Sequence, residues 1–135
     1  MGTRKLGRPT AHRMSMLYGM VAYLIENGKI ETTLTRAKEV SSLADKMITL
    51  SKKGGLSNYR RALKVLPEDT VKRLFDTISL RYTDINGGYT AVYKLGPRRG
   101  DGAEMALITL TAPSVELSAN TDTSDKSDDK KEKAE

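Results

Sequence analysis

The apolar positions between residues 10 and 27 recur with a helical rhythm. Met14, Leu17, Val21, Leu24 and Ile25 fall on one stripe, and Met16, Met20 and Tyr23 widen it. This pattern predicts a central helix, capped by Thr10 and closed at Asn27-Gly28. KIETTLT (29–35) changes to a period of two, with Ile30 and Thr32 set against Glu31 and Thr33, and suits a short strand. Thr33 or Thr35 can cap the next helix. Its core stripe is Val40, Leu43, Ala44, Met47 and Leu50, and Lys52-Lys53-Gly54-Gly55 ends it. Cations there complement the helix dipole, and glycine takes the left-handed cap. Ser57 opens a short helix with Tyr59, Ala62, Leu63 and Leu66 inward and Arg60, Arg61 and Lys64 outward. Pro67-Glu68-Asp69 begins a fourth, with Val71, Leu74, Phe75, Ile78 and Tyr82 inward, and Asn86-Gly87-Gly88 breaks it.

A hairpin closes the folded part. Tyr89, Ala91, Tyr93 and Leu95 share one face of its first strand, and Thr90, Val92 and Lys94 the other. MALITLT (105–111) returns, and the loop between spans about Gly96 to Glu104. Strand 29–35 has only the hairpin to pair with. The expectation is a two-layer α+β domain over residues 1–112, ordered helix, strand, three helices, two strands, on a small three-stranded mixed sheet. Residues 1–13 hold Arg4, Lys5, Arg8 and Arg13 without an acid, alongside Gly2, Gly7 and Pro9. They read as an extended basic arm that orders only on a partner. The stretch after Pro113 has no hydrophobic period, so 113–135 reads as a disordered charged tail.

Charge sharpens this division. Residues 1–112 carry 19 Lys and Arg against 10 Asp and Glu, a net +9, whereas 113–135 carry 4 against 7, a net −3. A body this basic favours a polyanion. The 135 residues contain no cysteine and one histidine, His12, which excludes disulfides, thiolate metal sites and imidazole clusters. No apolar run is long enough to span a membrane. MGTRKLGRPTAHR before MLYGMVAYLI imitates a secretion leader but lacks a small-residue cleavage site, so a cytoplasmic protein is expected.

The basic clusters are the arm, Lys52-Lys53, residues 60–64 and Arg98-Arg99. Any one alone reads as a solvated surface. Together on a cationic body they read as phosphate contacts, because an arginine fork matches two phosphate oxygens and the glycines of LGPRRGDG let backbone amides approach. Arg99-Gly100-Asp101 spells an adhesion tripeptide, but in a basic, cysteine-free chain it is a turn. GPRRGDG lacks the Gly-Lys-Ser/Thr ending of a phosphate-binding loop. His12 has no catalytic partner in view, and no nucleophile has an identifiable base. No enzyme activity, cofactor, metal or small-molecule substrate is expected.

IETTLTRAKEVSSLADKMITLSKK (30–53) resembles the bacterial large-subunit ribosomal proteins of the L-seventeen family. The matching positions are Ile30, Thr32, Thr33, Arg36, Ala37 and Lys38, then Asp45, Met47, Ile48, Thr49, Leu50 and Lys52. LGR (6–8), HR (12–13), LFD (74–76), RY (81–82), GGYT (87–90) and KLGPRRGD (94–101) follow in family order. Tyr18-Gly19, Asp84, Asn86 and Ala91 stand where members often carry other residues, so RNA contacts at 84–86 and at 91 are not carried over. The resemblance implies a structural protein on 23S ribosomal RNA near the rim of the peptide exit tunnel, beside neighbouring large-subunit proteins. Arg4, Lys5, Arg8, His12 and Arg13 are then expected to lie along RNA. Arg36, Lys38, Lys52, Lys53, Arg60, Arg61, Arg98 and Arg99 are expected to make phosphate contacts from the body. A DNA-binding regulator needs a base-reading helix and usually a dimer, and no helix-turn-helix spacing is present. An RNA-processing enzyme needs a carboxylate or His12 essential for turnover.

Overall fold

The computed structural model describes residues 4–112; residues 1–3 and the expected tail, 113–135, lie outside it. The chain runs α1 (Thr10–Asn27), β1 (Lys29–Thr33), α2 (Leu34–Lys53), α3 (Leu56–Leu63) and α4 (Glu68–Arg73). A π-helical turn (Leu74–Ile78) carries α4 into a last turn, Ser79–Arg81, and then β2 (Thr90–Pro97) and β3 (Glu104–Leu110) form the hairpin.

The three strands lie in the order β1-β3-β2, and both pairings are antiparallel. This corrects the expected mixed sheet. β1 and β2 run the same way, so a parallel pair would need them adjacent; β3 lies between them instead. The register places Ile30 and Val92 either side of Ile108, and Thr32 and Lys94 either side of Ala106. Ala106 and Ile108 are buried on this face. The opposite face carries Glu31, Leu107 and Tyr93 in one row, and Tyr93 is exposed. Hence Thr90, Val92 and Lys94 form the inward row of β2, while Tyr93 and Leu95 look outward. Leu95 is the extra residue of a bulge between Lys94 and Gly96, and Gly96 sits at φ 93°, which favours glycine.

Both long helices cover the inward face. α1 contributes Leu17, Val21, Leu24 and Ile25; α2 contributes Ala37, Val40, Ala44, Met47 and Ile48; Val71, Leu74, Ile78 and Tyr82 follow from α4 and its continuation. Gly28 ends α1 in the left-handed conformation, its amide bonded to the Leu24 carbonyl at 2.8 Å, and its own carbonyl accepts from the Leu110 amide at 3.0 Å. One residue thus caps a helix and joins it to the sheet.

Several local expectations change. Pro9, not Thr10, flanks the start of α1, and Thr10 is already helical. The strand stops at Thr33 because α2 starts at Leu34. Tyr23 and Leu63, placed on core stripes by periodicity, are exposed, because nothing covers those flanks of α1 and α3. The fourth helix, expected to run to the Asn86-Gly87-Gly88 break, ends at Arg81, and residues 82–89 are irregular. They are fastened by Tyr82, fully buried, whose hydroxyl donates to the Tyr89 carbonyl at 2.9 Å and accepts from the Ala112 amide at 3.1 Å. The Tyr82 and Tyr89 rings meet edge-on at 5.2 Å between centroids.

Tyr82→Phe keeps the ring and leaves the Ala112 amide unpartnered in a buried place. Urea titration is expected to show a loss of about 1–3 kcal/mol. Ile108→Ala, at the centre of the core, is expected to cost about 2–5 kcal/mol in the same measurement.

Candidate nucleic-acid interface

Topology divides the cations between two ends of the domain. β1 ends at Thr33, opposite Met105, which pairs on its other side with Gly96 beside the hairpin tip. α2 starts at the next residue, so Arg36 and Lys38 in its first turns stand at the tip end. The helix then runs back over the sheet. Its Ser41 hydroxyl meets the Thr90 hydroxyl at 2.7 Å, and Thr90 donates to the Asp45 carboxylate at 3.2 Å, both at the other end of β2. At 1.5 Å per residue, Arg36 and Lys53 are about 25 Å apart along the axis. Lys53 and α3 therefore belong to the far end.

At the tip end, the arm is not free over its described residues. The Arg4 Nη1 donates to Glu39 Oε1 at 2.9 Å, which ties the arm to the second turn of α2. Lys5 and His12 are exposed, and Arg8 and Arg13 are half-buried. The physical reason for the contact is the buried Glu39 carboxylate, which has to be met by a cation.

Arg98 and Arg99 sit on the tip but differ. Arg98 Nε donates to Asp101 Oδ1 at 3.1 Å, and the Ala103 amide donates to the same oxygen at 3.1 Å. The Arg98 amide bonds to the Ala103 carbonyl at 2.8 Å, and the Gly102 amide to the Arg98 carbonyl at 3.0 Å. Arg98 is thus partly spent on closing the loop, and its carboxylate partner comes from within the tip. The Arg98 guanidinium, with the Ala103 amide, holds the Asp101 carboxyl well below the usual carboxylate range. Arg99 is exposed and makes no ion pair among the described residues.

At the far end, Lys52 and Lys53 also part ways. Lys52 Nζ donates to the Ile85 carbonyl, lies 3.3 Å from the Tyr89 hydroxyl and sits 5.2 Å from the centre of the Tyr89 ring. These contacts hold the 82–89 segment and leave Lys52 half-exposed. Lys53 is exposed. Arg60 and Arg61 line an open depression of about 410 Å³ with Leu56, Ser57 and Lys64. Lys64, part of the basic cluster 60–64 but not among the expected contacts, lines the depression together with the two arginines. Lys94 is not among the expected contacts; its exposed side chain adds a cation to the last inward row before the tip. Its place next to LGPRR was the available signal.

Among the described residues no group of His, Cys, Asp or Glu could hold a metal ion, and no helix is long and apolar enough to cross a membrane. What the fold presents is a small α+β body with separate cationic ends and loops closed by internal hydrogen bonds. That arrangement suits a class, the basic modules in which a folded body positions cations for an anionic polymer. The sequence profile of ribosomal protein L17 matches residues 16–111, and the chain belongs to that family. Members are structural components of the ribosome, not enzymes. A relative named large ribosomal subunit protein bL17 in Clostridium tetani is 60% identical over 110 residues, covering 81% of this chain and 97% of the relative. Proteins of the same name in Clostridium acetobutylicum and Clostridium botulinum are 56% and 54% identical over the same length, covering 81% of this chain and 96–97% of theirs.

Two outcomes test these assignments. A depressed carboxyl pKa contributes stability above the unfolded value and loses it as pH falls through the folded value. The Arg98–Asp101 pair is therefore expected to persist below the ordinary titration range of aspartate. The Ala103 amide shift in NMR spectra should stay constant from neutral pH to about pH 4 and move only in stronger acid. Lys52→Met is expected to lower stability by about 1 kcal/mol through the lost carbonyl and ring contacts, while leaving the salt dependence of any polyanion binding unchanged.

Proposed function

We propose that this chain is a structural constituent of the large ribosomal subunit that binds 23S ribosomal RNA through backbone phosphates and so supports translation in the cytoplasm. The observation that carries this reading is the 60% identity to a large-subunit protein over nearly that protein's whole length. The geometry supports the mode of binding. Exposed cations sit on short, internally bonded segments, where a guanidinium or ammonium replaces the counterions of a phosphate without a base being read.

In this reading the tip end meets RNA with Lys5, Arg8, His12, Arg13, Arg36, Lys38 and Arg99, with Arg98 shared between Asp101 and phosphate. The far end meets it with Lys53, Arg60 and Arg61, and Lys64 beside them. Ends so far apart suit two RNA segments rather than one groove, which is how a small protein can fix a tertiary arrangement of RNA. The location near the rim of the exit tunnel, with neighbouring large-subunit proteins alongside, follows from the family resemblance. Residues 1–112 are the binding unit, and 113–135 are a charged tail beside it.

Sedimentation of cell lysate tests the assignment: the chain is expected in large-subunit fractions at stoichiometric level in low and high salt, and a free peak in both would overturn it. For the mode of binding, affinity for 23S RNA is measured against salt concentration. Arg99→Gln and Arg60→Gln are each expected to flatten the slope of log K against log salt by about 0.7–0.9. Equal slopes for the variants and the wild type would remove these residues from the interface.

A further inference from the structure

Glu39 is 5% exposed, a carboxylate set into the side of α2, and among the described residues its one ion-pair partner is Arg4, 35 positions earlier. Arg4 itself is 47% exposed. A carboxylate that deep without a cation costs several kcal/mol, so a guanidinium that left it for a phosphate would strand it. The rest of the segment is built to keep Arg4 in place. Leu6 packs on the core at φ 53°, left-handed for a residue with a side chain, and Gly7 follows at φ 66°. The Arg8 amide closes the turn on the Lys5 carbonyl at 3.2 Å, and Arg8 Nη1 reaches the Leu6 carbonyl at 3.1 Å. A left-handed Leu persists only where its surroundings over-determine it. Here the ion pair on one side and the Leu6 contact on the other do so.

We propose that Arg4 is a positioning residue, and that the Arg4–Glu39 pair is a strut holding residues 4–9 in a preformed turn that presents Lys5 and Arg8 to RNA. The RNA-facing part of this statement rests on the proposed function; the strut itself does not. Pre-ordering removes from binding the entropy that an unstructured arm would lose. It also gives Glu39 an opposite sign of effect from its charge. Removing an acid from an RNA-binding protein should strengthen binding if charge alone counts, whereas removing this one should weaken it.

Two measurements test the proposal on the full-length chain. In the first, without RNA, trypsin cleavage of the Lys5–Leu6 bond is followed by mass spectrometry. Arg8–Pro9 resists the enzyme and does not confuse the reading. Glu39→Gln and the double variant Arg4→Gln/Glu39→Gln, which leaves no orphan charge, are expected to be cut about tenfold faster at that bond. Cleavage inside 14–112 should not change. Arg4→Lys, which keeps a cation within reach of Glu39, should restore most of the protection. An unchanged cleavage rate in the double variant overturns the strut, and its thermal midpoint shows that the body is folded. In the second, affinity for 23S RNA is measured. Glu39→Gln should bind several-fold more weakly with an unaltered salt slope. Equal or tighter binding overturns the proposal, as does Arg4→Gln flattening the slope by about 0.7–0.9 while Glu39→Gln leaves binding untouched. If the wild type fails to bind 23S RNA, the proposed function falls while the protease result still decides the strut.

Discussion

The seating of α2 across the inward face of the sheet is the constraint on which the other features depend. Ala37, Val40, Ala44 and Ile48 are fully buried, and Ala106 and Ile108 oppose them from β3. Small residues at 37, 44 and 106 let the helix come close to the central strand, and the larger ones interlock beside them. Once that helix is fixed, its two ends are fixed. The first turns stand by the hairpin tip, where Glu39 can hold Arg4. The last turn stands by residues 82–89, where Lys52 can hold Ile85 and Tyr89. Placement of charge on this protein is thus a consequence of apolar packing, with electrostatics working out the local detail.

Most of the fold can be read from periodicity, because the strong patterns are those with a single competing explanation. α1, α2 and the hairpin show a clear rhythm, and each stands near its expected place. Misreadings fall where the pattern depends on a neighbour that one segment cannot reveal. Tyr23 and Leu63 have the spacing of core residues but lack a covering element. The sheet was expected to be mixed because nothing in KIETT says which hairpin strand it meets. The inward row of β2 includes Lys94 and excludes Tyr93, against the hydrophobicity of the two residues, since the bulge and register are set by β3. The π-helical turn is invisible in the sequence because Val71, Leu74, Ile78 and Tyr82 keep a helical spacing through it.

The candidate interface was legible as a composition and much less so as a set of roles. Counting cations finds Arg4, Lys52 and Arg98 as readily as Lys5, Lys53 and Arg99, because sequence carries no information on which cation meets an internal acceptor. In the structure each pair divides. Arg4 meets a buried carboxylate, Lys52 a backbone carbonyl and a tyrosine ring, and Arg98 the carboxylate of its own turn; Lys5, Lys53 and Arg99 are left at the surface. Arg4 and Arg98 fix the segments that carry Lys5 and Arg99, whereas Lys52, at the end of the helix that carries Lys53, fixes the neighbouring 82–89 segment.

This division follows from what each task requires. A cation that neutralises phosphate has to keep its hydration until RNA arrives, so it belongs at an exposed position, where its charge costs little. A cation that fixes a loop has to find acceptors in a set geometry, so it belongs where a carboxylate or carbonyl is already held in place. Each task has its own cost: an inner cation that left its acceptor entirely for phosphate would leave that acceptor unpaired, and an outer one without a fixed base would lose entropy on binding. A basic protein that must present charge at defined points without a large core to stiffen its loops therefore benefits from cations in pairs. The net charge of +9 over residues 1–112 is for that reason a poor count of the RNA contacts, because part of it is spent on internal ion pairs and hydrogen bonds.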